Sequence, residues 1–218
     1  MVCAVLVLLE AAAHVGIQSA SIGEIPFTPL AVVAALVLTV TTWNKTAPPP
    51  PATWVFIIAA LPAAMMSITY AGVASSTGLL FVAFGEEAVF RVAVPLLVLA
   101  IINKATGTTR WTRWSPLVAV SFSAVVFAVM PGHVAQWGTS PTGPAPWVAL
   151  SILWAGMLLR GLPLVAVIVH HALVDFAALS VTHGAPAVTW TAFLVLPVAT
   201  GIVLEFRRDR RQAIPATA

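Results

Sequence analysis

Long apolar segments that carry very few charges fill most of this 218-residue chain. Hydrophobic residues make up 60% of it and charged residues 8%, whereas a soluble domain has roughly 45–50% and about 25%. This pattern excludes a soluble domain, a disordered chain and a disulfide scaffold, and Cys3 is the single cysteine. Because an apolar helix of ~20 residues crosses a bilayer, we expect an all-α, polytopic membrane helix bundle.

Prolines, glycines and clustered charges divide the apolar sequence into about eight predicted transmembrane helices. The sixth and seventh predicted spans are separated only by Gly161-Leu162-Pro163, so they are either two helices or one broken element. No internal repeat or linker is visible, which predicts a single integral membrane domain over residues 1–218. The predicted spans are 2–20, 27–43, 52–73, 77–103, 115–135, 147–160, 162–181 and 187–206.

The basic residues predict the orientation of the chain in the membrane. With the N-terminus inside, every Lys and Arg outside the spans falls on the cytoplasmic side, and the remaining one, Arg91, lies within a span. This split predicts that both termini are inside. The net charge of +3 is explained by this topology, so no nucleic-acid partner is expected. The cytoplasmic basic residues are Lys45, Lys104, Arg110, Arg113, Arg160, Arg207, Arg208, Arg210 and Arg211.

Three ionisable residues stand close together in the fourth predicted span: Glu86, Glu87 and Arg91. Charges inside a membrane are costly and by default mark function. Residues four apart share a helix face, so Glu87 is the natural partner of Arg91, which keeps its proton and needs a carboxylate. Glu86 points about 100° away from that face, which makes it the candidate for acid–base chemistry. The structural alternative is a buried salt bridge that only holds helices together.

Histidines occupy two further predicted spans. His171 and Asp175 share a face of the seventh helix, where the carboxylate can orient the imidazole. His170 lies off that face, and we expect it to form a structural hydrogen bond with a neighbouring helix. His133 follows Pro131-Gly132, which is expected to kink or end the fifth helix and so to turn the imidazole towards the interior.

Together these residues predict hydrolysis by activated water. They supply a base, an orienting imidazole and polar groups for an oxyanion. Two histidines and a carboxylate are also a common zinc set, so His133, His171 and Glu86 are candidate metal ligands. Whether a divalent metal such as zinc is bound or none stays open at this point. The G-x-S-x-G and H-E-x-x-H motifs are absent from the sequence. Glu10 and His14, four apart in the first span, either extend a polar cavity or pair with each other.

Two of these patterns resemble the motifs of a known family. Glu86, Glu87 and Arg91 resemble the E-E-x-x-x-R signature of the CPBP (ABI) family, which includes the type II CAAX prenyl endopeptidases. His171 and Asp175 resemble its H-x-x-x-N/D motif. Either motif alone is weak, but the two occur in the family's order and on separate apolar segments.

The middle motif of that family, F-x-x-x-H, matches in part. His133 has the expected order and helix, but Val129 stands four residues before it and the nearest phenylalanine, Phe127, stands six before it. The resemblance covers residues 77–181, which would form the catalytic core.

The resemblance implies an eight-helix bundle with its motifs on the fourth, fifth and seventh helices. It implies a multi-pass endopeptidase in a bacterial cell membrane, surrounded by lipid and acting on a peptide, a prenylated peptide or another lipophilic substrate. Both a metal-dependent and a metal-free glutamate mechanism have been proposed for the family. The implied roles are water activation by Glu86, assistance by His133, oxyanion stabilisation by His171 with Asp175, and an architectural Glu87–Arg91 pair.

Two other functions remain open from the sequence. A non-proteolytic enzyme of the same fold would act on a lipophilic small molecule or metabolite and would need only a small apolar pocket. A transporter or proton-relay protein would line a pathway with the ionisable residues, although such proteins usually show repeats or paired broken helices.

Overall fold

The computed structural model describes residues 50–107, 114–130, 133–134 and 143–213, with side chains as far as residue 209. Of the described residues 88% are helical and none forms a strand, which confirms an all-α protein for this part of the chain. The first two predicted spans lie outside the described residues, as do Cys3, Glu10 and His14. The inside location of both termini therefore stays a prediction.

Six helices cover the described residues, and four of them are long and apolar enough to cross a membrane: α1, α2, α5 and the first 22 residues of α6. The shorter α3 has 14 residues, about 21 Å at 1.5 Å per residue, against a hydrocarbon thickness of ~30 Å. The helices are α1 (Pro51–Ala71), α2 (Val73–Thr106), α3 (Ser115–Ala128), α4 (Ala145–Leu159), α5 (Leu164–Thr182) and α6 (Val188–Trp190, Thr191–Val195 and Leu196–Ala213).

The sixth and seventh predicted spans are separate helices, because α4 ends at Leu159 and α5 begins at Leu164. Within the fifth predicted span, 115–135, α3 stops at Ala128, three residues before the Pro131-Gly132 pair at which a kink or an end was predicted. Pro131 is the reason: it has no N–H for the carbonyl of Phe127, and its ring would clash with that carbonyl in a continuous helix.

The chain divides into two compact units, and each is described by itself. The first comprises Phe84–Arg160 and contains the greater part of α2 together with α3 and α4. Within it, α2 widens into a π-helical turn at Val89–Ala93, where the N–H of Val94 donates to the carbonyl of Val89. Pro95 follows this turn, and a π-turn is one way for a helix to accommodate the N–H that proline lacks.

The second unit comprises residues 50–83 and 161–213, with α1, α5, α6 and the start of α2. Small residues let its helices approach closely: Ala63, Ala83 and Ala172 are buried in one cluster with Leu173 and Phe176. Small residues at helix interfaces are typical of membrane bundles, because lipid supplies no hydrophobic force between helices.

Hydrogen bonds between helices add to the packing of the second unit. The hydroxyls of Ser67 and Ser76 lie 2.8 Å apart. At the beginning of α1, the N–H of Ala52 donates to the Glu205 carboxylate at 3.1 Å. The first turn of α1 and the end of the apolar part of α6 therefore lie at the same level. The predicted topology also has the third span begin and the eighth span end on the same side of the membrane.

Candidate functional site

A buried ion pair lies at the centre of the first unit. Glu87 Oε2 and Arg91 Nε are 3.3 Å apart, and their side chains are 0% and 1% exposed. The pair joins successive turns of α2, as the four-residue spacing predicts. Glu86 is also buried, with 7% exposure, and stands about 100° around the helix from Glu87. The three charged residues of the predicted motif are thus all held away from water.

Two aromatic rings cover the Arg91 guanidinium. Its central carbon lies 4.8 Å from the ring centre of Phe127 on α3 and 5.2 Å from that of Trp154 on α4. Rings at this distance attract a cation by about 0.5–2 kcal/mol each. Among the described residues, the three side-chain nitrogens of Arg91 have no hydrogen-bond acceptor. Arg91 is therefore stabilised by the Glu87 charge and by the faces of the two rings.

The π-turn places this cation and also changes the backbone hydrogen bonding around it. Since the Val94 N–H bonds to Val89, the carbonyl of Phe90 loses the donor that an α-helix would give it. The hydroxyl of Ser123 on α3 donates to that carbonyl. Π-turns occur frequently at functional sites, and here the turn contains the one basic residue of the predicted motif.

His133 lies beyond the end of α3 and is held by Phe127 and Trp147. Its Nδ1 is 2.7 Å from the carbonyl oxygen of Phe127. A carbonyl can only accept, so Nδ1 donates, and in a neutral imidazole Nε2 then keeps the lone pair. The imidazole is edge-on to the Phe127 ring at 4.5 Å and lies 5.7 Å from the Trp147 ring.

The second unit holds the other predicted pair. On α5, His171 Nε2 and Asp175 Oδ2 are 3.6 Å apart, with the histidine 4% and the aspartate 22% exposed. The neighbouring His170 is fully buried, and its ring meets Phe56 of α1 edge-on at 4.9 Å. His170 therefore packs against a neighbouring helix through its ring, and the predicted hydrogen bond to such a helix stays a prediction.

The predicted site residues are thus divided between the two units. The first contains Glu86, Glu87, Arg91 and His133, and the second contains His171 with Asp175. A common cavity for all six stays a prediction. No group of three or more His, Cys, Asp or Glu side chains that could hold a metal is found among the described residues, so nothing in that part of the chain assigns a metal to the candidate ligands.

Some residues around Arg91 and His133 are not recognisable from the sequence. Trp154 and Ser123 belong to none of the predicted motifs, and Phe127 stands six residues before His133 where the family motif has its phenylalanine four before. A phenylalanine four residues before a histidine reaches it within a helix; here the helix ends between the two, and Phe127 reaches His133 around the turn. Pro95 was the available signal for the π-turn, whereas nothing in the local sequence marks Ser123 or Trp154.

Comparison with known proteins adds no relative. No family model matches the chain, and neither a curated protein nor a solved structure matches it. The functional interpretation therefore depends on the residues themselves and on their geometry within each unit.

Proposed function

We propose that the chain is an intramembrane endopeptidase of the CPBP type, which cleaves a peptide or lipidated-peptide bond with activated water. The observation that carries the proposal is a buried Glu86 beside the Glu87–Arg91 ion pair, on a helix long enough to span a membrane. Three buried charges in a bilayer are costly and need a use. Glu87 and Arg91 form the ion pair, and Glu86 takes the water-activating role that the CPBP resemblance implies.

In the proposed reaction, Glu86 accepts a proton from water while the water oxygen attacks the scissile carbonyl carbon. The resulting tetrahedral intermediate collapses, the C–N bond breaks, and the proton held by Glu86 passes to the leaving amine nitrogen. His133 takes the assisting role that the CPBP resemblance implies. His171 and Asp175 take the oxyanion role that the CPBP resemblance implies. No step is assigned to a metal.

A second candidate function is an enzyme of the same fold that acts on a lipophilic small molecule. The observation in its favour is the aromatic surroundings of His133 and Arg91, formed by Phe127, Trp147 and Trp154. Flat apolar rings around a few polar groups are typical of small-molecule sites. Both functions use Glu86 for proton transfer, and they differ in whether the substrate contains an amide bond in an extended chain.

The test compares the purified full-length protein with its Glu86→Gln variant in proteoliposomes. The probe is a fluorogenic peptide with a farnesylated cysteine near its C-terminus, with the unlipidated peptide alongside. We expect Glu86→Gln to lower turnover by roughly 10²–10⁴-fold, the usual contribution of general acid–base catalysis. Asp209→Asn, which removes an exposed carboxylate on α6, is the control and leaves turnover unchanged.

The outcomes separate the hypotheses. Normal cleavage by Glu86→Gln contradicts the assignment of the base. If the wild type leaves both peptides intact but converts a prenyl alcohol or a similar lipophilic small molecule in a Glu86-dependent manner, the second candidate function is correct. If it instead carries protons across the vesicle membrane without any hydrolysis, the relay interpretation replaces both.

A further inference from the structure

The end of α6 carries a strongly basic segment, residues 205–211, with the sequence Glu-Phe-Arg-Arg-Asp-Arg-Arg. Four arginines and two acidic residues give it a net charge of +2 (4 − 2). The helix continues through this segment to Ala213, so the arginines stay on a rigid element. They are not on a loop that could withdraw into water.

The position of this segment follows from the length of the helix before it. Residues 188–206 carry no charge except Glu205, and these 19 residues (206 − 188 + 1) span about 28 Å at 1.5 Å per residue. That is close to the ~30 Å of a hydrocarbon core. If α6 crosses the bilayer, Arg207 and the residues after it stand in the layer of lipid headgroups.

The contact between α6 and α1 keeps the segment at that depth. Glu205 accepts the N–H of Ala52 at 3.1 Å, and Gly201, one helix turn earlier, lets α6 approach α1 so closely that a Cβ there would lie 3.2 Å from the Cβ of Ala52. Sliding α6 along its axis would break both contacts. The arginines are therefore fixed at the end of the apolar helix.

The acidic residues of the segment are engaged by one arginine. Arg208 lies 2.9 Å from the Glu205 carboxylate and 3.7 Å from that of Asp209. Arg207 is exposed. By helical rotation, positions 207 and 210 lie on the side of α6 away from the Gly201 position that meets α1, and position 211 lies between the two sides. Arg207 thus stands on the side of α6 that does not contact α1.

We propose that the basic segment at positions 207–211 binds the headgroups of anionic lipids. A row of arginines at the end of a membrane helix attracts acidic headgroups by about 1 kcal/mol for each residue, which corresponds to roughly fivefold in affinity for each arginine. Guanidinium groups also bind phosphate oxygens in pairs, which suits phosphodiester headgroups. The inference is independent of the proposed peptidase activity.

The test measures lipid binding to the detergent-solubilised full-length protein by native mass spectrometry. Phosphatidylglycerol is the anionic probe, phosphatidylcholine the zwitterionic one, and soluble glycerol phosphate the headgroup without its tails. We expect the wild type to prefer phosphatidylglycerol and to bind glycerol phosphate far more weakly. Arg207→Gln with Arg211→Gln is expected to weaken phosphatidylglycerol binding by roughly 25-fold (5 × 5) without changing phosphatidylcholine binding.

Two matched variants serve as controls. Lys104→Gln with Arg160→Gln removes the same number of charges from exposed positions near the ends of α2 and α4. Neither residue has another Lys or Arg within four positions, so this variant is expected to weaken phosphatidylglycerol binding clearly less than the variant at positions 207 and 211. Arg207→Lys with Arg211→Lys retains the charge and most of the affinity, so it also serves as the folded variant should the glutamine variant prove unstable.

Several results would overturn the proposal. One is that the wild type binds phosphatidylglycerol and phosphatidylcholine equally well. Another is that the two double glutamine variants weaken phosphatidylglycerol binding to the same extent. Binding of glycerol phosphate as tight as that of the lipid would point to a site for free phosphate. Capture of an acidic polypeptide such as polyglutamate, without any lipid preference, would point to a protein partner.

Discussion

Replacing Glu87 by glutamine tests whether Glu86 and Glu87 have different roles. Glu87 is 0% exposed and lies 3.3 Å from Arg91, so glutamine would leave a buried guanidinium without its counter-charge. Removing one partner of a buried ion pair costs about 3–5 kcal/mol. For a chain of 150–250 residues each kcal/mol lowers the unfolding temperature by about 2–4 °C, so we expect a drop of about 6–20 °C.

The assay is thermal unfolding in detergent, followed by the fluorescence of the eight tryptophans. Glu86→Gln is the comparison, and its unfolding temperature is expected to stay within about 4 °C of the wild type, a change of about 1 kcal/mol. The double variant Glu87→Gln with Arg91→Met is expected to recover most of the loss, because replacing both members of a buried pair by uncharged groups is often neutral.

The reasoning fails if the two glutamine variants at positions 86 and 87 unfold at the same temperature. It also fails if the double variant is no more stable than Glu87→Gln alone, since the cost would then come from packing and not from an uncompensated charge. Recovery of stability without recovery of the proposed peptidase turnover would be consistent with a structural role for the pair beside the proposed base, Glu86.

Two further predictions concern packing. Ser123→Ala is expected to lower the free energy of unfolding by about 1 kcal/mol, because the Phe90 carbonyl loses its hydrogen-bond donor. The control is Ser180→Ala, whose buried hydroxyl donates within its own helix. An equal loss of stability in the control would contradict the prediction. Gly201→Val is expected to lower the free energy of unfolding by about 1–3 kcal/mol, because a Cβ at position 201 lies 3.2 Å from the Cβ of Ala52. Gly156→Ala is the comparison, since a Cβ at position 156 meets nothing within 4 Å. It is expected to raise the free energy of unfolding by about 0.5–1 kcal/mol. Thermal unfolding measures the stability of all these variants. If Gly156→Ala loses as much stability as Gly201→Val, crowding against Ala52 is not the cause of the loss at position 201.

Features that depend on local spacing were predictable from the sequence. The length of the apolar segment predicted a span at 52–73, and the structure has α1 at Pro51–Ala71. The i, i+4 spacing predicted the Glu87–Arg91 and His171–Asp175 pairs, and both are present. These predictions succeed because a helix converts sequence spacing directly into angle and rise. The break near Pro131 was predicted, but α3 ends three residues before it, at Ala128, because the missing N–H and the ring of Pro131 affect the carbonyl of Phe127, four residues earlier.

The membrane class and the near-neighbour charge pairs were thus determined by the sequence alone. Only the tertiary structure decided what surrounds them: the Phe127 and Trp154 rings on Arg91, the Ser123 hydroxyl on the π-turn and the Glu205 carboxylate at the start of α1. Each of these contacts joins helices whose residues are far apart along the chain. Helical periodicity specifies which face of a helix a residue occupies, but not which neighbouring helix packs against that face or at what height.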